Sequence, residues 1–171
     1  NSRKKLLNKK KLSNFLNFKS LLQRYPLLKS LTNNYNYSFE KKELLNLKKF
    51  SEYNLIGMGG SILGAEAIYD FLNHKIKKKF FFFNNLQNID ISISNKKRLN
   101  VIISKSGNTL ETLSNLHFIL NNQNKNNNLI ITENKKNILK MVANKLRSDV
   151  IDHKNYIGGR YSVLSEVGMI P

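Results

Sequence analysis

Tyr53-Asn54-Leu55-Ile56-Gly57-Met58-Gly59-Gly60-Ser61-Ile62-Leu63-Gly64 passes from an apolar run, through a glycine turn, into the start of a helical pattern. A short apolar run bounded by a turn has the length and composition of a strand buried in a parallel sheet. The helix-length segment after it makes the first part of a β-α-β unit. The alternation then repeats. Residues 53–58 read as the first strand and 61–72 as a helix. Residues 79–84, with four successive phenylalanines, read as a second strand buried on both faces. Residues 99–104 read as a third strand, 109–120 as a helix, 129–132 as a fourth strand and 136–146 as another helix. Residues 156–171 are punctuated by glycine and lead toward a helix from Ser162. Strands alternating with helices predict an α/β fold with an open parallel sheet.

Working outward, residues 1–50 contain no glycine, and their apolar side chains recur at mixed helical spacing among lysines. They are expected to form an N-terminal helical arm of one or two helices broken near Pro26. Residues 51–171 are expected to form the main domain. The absence of an initial Met and the abrupt end at Pro171 read as a fragment of a longer chain.

The 29 Lys and Arg against 11 Asp and Glu give a formal charge of +18, a field that attracts anionic substrates and polyanions. The lysines are scattered among asparagines along the whole chain, which reads as a compositional drift and not as a nucleic-acid groove. No cysteine is present, which excludes disulfides and thiolate metal sites and fits a reducing cytoplasm. No apolar run is long enough for a signal peptide or a bilayer span. A cytoplasmic protein without a membrane partner is therefore expected.

Two strand-to-helix turns have the chemistry of a phosphate site. In Gly57 to Gly64 the glycines permit positive φ and leave no Cβ between backbone and ligand. The helix N-terminus that follows offers unpaired N–H groups and partial positive charge, with Ser61 adding a hydroxyl. A dinucleotide fingerprint fails, because Ile62 stands where its last glycine is needed. A P-loop fails too, because Ala65 and Glu66 replace the required Lys and Ser or Thr. The second turn, Ser104-Lys105-Ser106-Gly107-Asn108-Thr109, is a run of hydroxyl donors around one glycine. Asn108 with Glu111 reads as a capping box, which leaves Ser104, Ser106 and Thr109 to be explained by a ligand. In an open parallel sheet both turns lie at the carboxyl ends of strands, where ligands bind. A monophosphate fits better than a nucleotide.

The GGSxLG pattern of Gly59 to Gly64 and the SKSGxTxET pattern of Ser104 to Thr112 resemble the sugar isomerase (SIS) domain family, which binds phosphorylated sugars. Gly158-Gly159-Arg160-Tyr161-Ser162-Val163-Leu164-Ser165, continuing to Val167-Gly168, resembles the GGRYS signature of the glucose-6-phosphate isomerases. The resemblance implies an SIS-type, flavodoxin-like three-layer sandwich with a parallel sheet of about five strands. It implies reversible interconversion of glucose 6-phosphate and fructose 6-phosphate through an enediolate, in glycolysis and gluconeogenesis, by a homodimer with no metal or organic cofactor. It assigns Gly60, Ser61, Ser104, Lys105, Ser106 and Thr109 to the substrate phosphate, and Gly159 and Arg160 to the reacting carbons. A guanidinium fixed beside a developing enediolate stabilises its charge. In the family the proton-shuttling carboxylate and the ring-opening groups lie in the second half of the chain. His74, His117, His153, Glu66 and Glu111 fall outside the matched roles, and Met58 and Asn108 depart from the usual motif residues. The alternative is a non-catalytic SIS module that senses a sugar phosphate.

Overall fold

Each apolar run predicted as a strand folds as one, and all of them run parallel. The computed structural model describes residues 2–86, 97–122 and 127–171. The chain forms two compact units, Asn1–Asn36 and Tyr37–Pro171. In the first, helix α1 (Ser2–Arg24) stops where Tyr25 turns extended in front of Pro26, and a 3₁₀ turn follows over Pro26–Leu31.

The second unit opens with α2 (Lys41–Leu47), whose start is closed by a Glu40–Glu43 capping box. There follow β1 (Glu52–Gly57), α3 (Leu63–Leu72), β2 (Lys79–Phe83), β3 (Arg98–Ile103), α4 (Leu110–Asn122), β4 (Asn128–Glu133), α5 (Ile138–Leu146), β5 (Asp149–His153) and α6 (Glu166–Met169). The five strands pair in the order β2-β1-β3-β4-β5, all parallel. The expected α/β class and parallel sheet are therefore present.

The period-two alternation of the strands sorts the core into two layers. Tyr53, Leu55, Leu99, Val101, Ile103, Leu129, Ile131 and Ile151 pack with Ala65 of α3, Val167 of α6, and Leu44 and Leu47 of α2. On the opposite face Ile56, Ile102 and Ile130 pack under Leu116 and Ile119 of α4 and Leu139 and Ala143 of α5. On that second face, three asparagines stand in register on β1, β3 and β4. Asn54 Nδ2 donates to Asn100 Oδ1 at 2.7 Å, and Asn100 Nδ2 to Asn128 Oδ1 at 2.9 Å, all three being buried.

Three details depart from the sequence reading. The phenylalanine strand β2 lies at the end of the strand order, and its Phe residues are half-buried instead of enclosed on both faces. Phe80 stacks on Tyr53 with centroids 4.7 Å apart, while Phe81 lies under Arg98 at 4.5 Å, so ring and cation contacts replace a covering layer. Strand β5 is an element that the sequence pattern does not reveal, because Val150 and Ile151 alone among charged neighbours carry too little signal. The final helix begins at Glu166, and not at Ser162, because Ser162 closes the 3₁₀ turn Gly159–Tyr161.

Candidate functional site

β1 and β3 are neighbours, and Gly57 pairs with Ile103 at their carboxyl ends. The two motif turns therefore leave the sheet side by side. The first makes a 3₁₀ turn over Gly59–Ser61, then α3 begins at Leu63 without any side-chain cap. Its first N–H groups remain available to an anion. A Cβ on Gly57 would lie 3.1 Å from Ile103 O and 3.3 Å from Ser61 Cβ, so Ser61 sits directly over the junction of the two strands.

In the second turn, Ser104 Oγ lies 2.9 Å from Thr109 Oγ1 and 3.5 Å from Ser106 Oγ, and Ser106 Oγ lies 3.4 Å from Thr109 Oγ1. Three hydroxyls thus share one small cluster, with Ser104 buried and Ser106 exposed. Gly107 makes this possible. Its φ is +69°, and a Cβ there would lie 2.2 Å from the Asn137 side chain, so only glycine fits. The turn is braced by α5: Gly107 O accepts from Leu139 N at 3.0 Å, and Asn108 Oδ1 accepts from Ile138 N at 3.0 Å. Asn137 caps the same helix by accepting from Lys140 N at 2.9 Å. The start of α5 is therefore closed by protein groups, and Asn108 serves that helix, not the one in its own motif as the capping-box reading expected.

Lys105 takes a different place from the hydroxyls. Its ammonium donates to Asn155 O at 2.8 Å and pairs with Glu133 at 3.2 Å, toward β4 and β5. Burial alone would raise the Glu133 pKa, but the hydrogen bonds and charges of Lys135 and Lys105 outweigh it and hold the carboxyl below its ordinary value. Lys105 belongs to this ion-pair group, so its side chain does not join the Ser104–Thr109 cluster.

The third motif meets the first. A Cβ on Gly60 would lie 2.2 Å from Gly159 O and 2.7 Å from Arg160 N, so the absence of a side chain at Gly60 lets the arginine turn rest on the first loop. A Cβ on Gly159 would meet nothing within 4 Å, so the close approach depends on Gly60 and not on Gly159. Farther along, Val163 Cγ2 lies 2.7 Å from where a Cβ of Gly64 would stand. Ser162, buried, donates to Gly159 O at 2.6 Å and Gly60 O at 3.1 Å. Arg160 itself is exposed, and no ion pair holds it among the described residues.

The sequence reading singled out neither Ser162 nor Asn137. Ser162 reaches Gly60, a partner 102 positions away that no local pattern foretells, whereas Asn137, standing just before α5 with Lys140 N as its partner, carries the local signal of an N-cap. His153 lies at the end of β5, buried, with Nδ1 2.8 Å from Lys154 O and Nε2 without a partner among the described residues. Burial lowers its pKa below the ordinary value, against smaller opposing effects from Lys154 O and the carboxylates of Glu166 and Glu133. Glu166 is fully buried and accepts from Ser38 N at 3.0 Å. Among the described residues no cluster of His, Asp or Glu could hold a metal ion, and no helix is long and apolar enough to cross a membrane.

The assembled site offers uncapped amides, four hydroxyls and one exposed guanidinium. That set suits a phosphate dianion with negative charge developing nearby. Residues 23–171 match the family model for phosphoglucose isomerase. A glucose-6-phosphate isomerase of Methanocaldococcus jannaschii is 38% identical, covering 74% of this chain and 35% of that protein. One from Borreliella burgdorferi is 36% identical, covering 72% and 26%. The chain thus spans about a third or less of these relatives' length. Among solved structures, a hypothetical protein from Thermus thermophilus superposes with a TM-score of 0.69 at 26% identity, covering 76% of this chain and 34% of that one. The tagatose-6-phosphate ketose/aldose isomerase of Escherichia coli shares the fold, with a TM-score of 0.56 at 18% identity over 72% and 38% of the two chains. With its three motifs gathered at one edge of the sheet and a family match running from residue 23 to its last residue, this chain belongs to the phosphoglucose isomerase family.

Proposed function

We propose that this chain carries the phosphate-gripping part of a glucose-6-phosphate isomerase, which interconverts glucose 6-phosphate and fructose 6-phosphate through an enediolate. In this reading the uncapped amides at the start of α3, with Ser61, Ser104, Ser106 and Thr109, hold the phosphate. Arg160, presented by the Gly158-Gly159 turn, faces the carbons that exchange their proton and stabilises the enediolate oxygen. Lys105 contributes through the field of its ion-pair group and not by direct contact. The carboxylate that moves the proton and the groups that open the sugar ring are assigned to no residue of this chain. The reading extends to a cytoplasmic homodimer working without metal, organic cofactor, nucleic acid or membrane. It takes residues 51–171 as the SIS-type domain and residues 1–50 as its arm.

The observation that supports this most is the abutment of Gly60 on the Gly159 and Arg160 backbone, beside the hydroxyl cluster on the neighbouring strand. Phosphate donors and the backbone that carries the guanidinium are then neighbours, which is what the reading requires. Titration of the chain with fructose 6-phosphate tests it, alongside the double variant Ser104→Ala, Thr109→Ala. Two charge-assisted hydrogen bonds are removed, so affinity should fall by about tenfold or more. Equal affinity in the two forms would refute the site.

A further inference from the structure

Three contacts tie the arginine turn to the first phosphate loop, and two of them are steric. Gly60 against Gly159, and Gly64 against Val163, set how closely the segments can approach, but neither pulls them together. Ser162 supplies the directional contact. Its hydroxyl has one proton and two carbonyls within reach, Gly159 O at 2.6 Å in its own turn and Gly60 O at 3.1 Å on the loop 102 positions away. The turn does not need that hydroxyl for its own closure, because Tyr161 N donates to Gly158 O at 2.9 Å and Ser162 N to Gly159 O at 3.3 Å. Ser162 is fully buried, and Ser165 Oγ donates to its carbonyl at 2.6 Å, so the backbone that carries the hydroxyl is itself held.

We infer that Ser162 is a positioning residue that sets where Arg160 stands relative to the bound phosphate, by sharing one proton between the Gly60 and Gly159 carbonyls. The inference rests on the sugar-phosphate reading above. Arg160 is exposed and has no ion pair among the described residues, so the placement of its backbone is what aims it. Apart from Ser61, whose peptide unit carries the Gly60 carbonyl, the phosphate donors do not depend on this bond. The hydroxyl cluster is braced by α5, and the uncapped amides belong to α3. Loss of the Ser162 hydroxyl should therefore separate two properties that an ordinary folding defect would lower together.

Calorimetric titration of the chain with inorganic phosphate and with 5-phosphoarabinonate reads those two properties apart. The second ligand carries a carboxylate where an enediolate would carry its charge. The unaltered chain should prefer it to phosphate, and Arg160→Ala should erase the preference. Ser162→Ala should reduce the preference by about fivefold, the scale of one net hydrogen bond, while changing the affinity for phosphate by less than about twofold. Ser162→Cys fills the same space with a poor donor and should behave as Ala does. The inference is overturned if either variant keeps the full preference, if both ligands weaken equally, or if neither variant folds, since Ser162 would then serve the scaffold alone. A chain that shows no preference in its unaltered form, or that is indifferent to Arg160→Ala, would instead sink the sugar-phosphate reading beneath it.

Discussion

His153 shows how one buried side chain sets a condition on the whole domain. Its folded-state pKa lies below the ordinary 6.5, because burial disfavours the charged ring. The unfolded chain therefore binds the proton first as pH falls. The stability contributed by the neutral ring is present above 6.5 and is lost as pH drops through that value toward the folded pKa. Glu133 is depressed as well, but from 4.5, so its loss belongs to more acid solution. Urea melts between about pH 7.5 and 5 should show a declining midpoint, and His153→Gln should flatten the decline. An unchanged slope in that variant would assign the pH response to another group. At this scale, the glycines and serines of the loops were legible because hydroxyls and missing side chains have few other uses at strand-to-helix turns. The roles of Ser162, of Asn108 on α5 and of the Lys105–Glu133 pair were not legible. Each depends on a partner that only the tertiary fold brings near, as far as 102 positions away for Ser162.

At the level of elements, the asparagine row across β1, β3 and β4 fixes the register. A slip of one residue would set amide groups against apolar side chains and turn the apolar set to the wrong face. Asn100 is the middle member and makes two of the bonds, so Asn100→Ala should destabilise the chain by about 2 kcal/mol, two net hydrogen bonds. Chemical denaturation measures it directly, and a change below a few tenths of a kcal/mol would show that the row contributes nothing net. The strands β1, β3 and β4 were readable because their runs are enclosed on both faces and have no other explanation. Edge strands obey weaker rules. β5 has one neighbouring strand and two apolar residues in sequence, and β2 reads as buried although half its environment is rings and cations. Local composition reports side-chain type, not place in the strand order.

For the molecule as a whole, the charge of +18 should act on any anion that approaches, independently of the loops. Raising salt from about 0.05 M to 0.5 M shortens the screening length from over 10 Å to a few ångströms and should weaken fructose 6-phosphate binding by about three- to tenfold. The Ser104→Ala, Thr109→Ala variant should bind less tightly at every salt concentration, yet with the same slope, because the field comes from the entire chain. A slope that vanishes with the two hydroxyls would mean that the attraction is local instead. The interlock between Gly60 and Gly159, described above as a matter of close approach, also bears on timing. The shape of a loop near residue 60 is completed by backbone that a ribosome adds about a hundred residues later. During synthesis the first loop therefore waits for the third motif, and its final outline is set only after all five strands have been made.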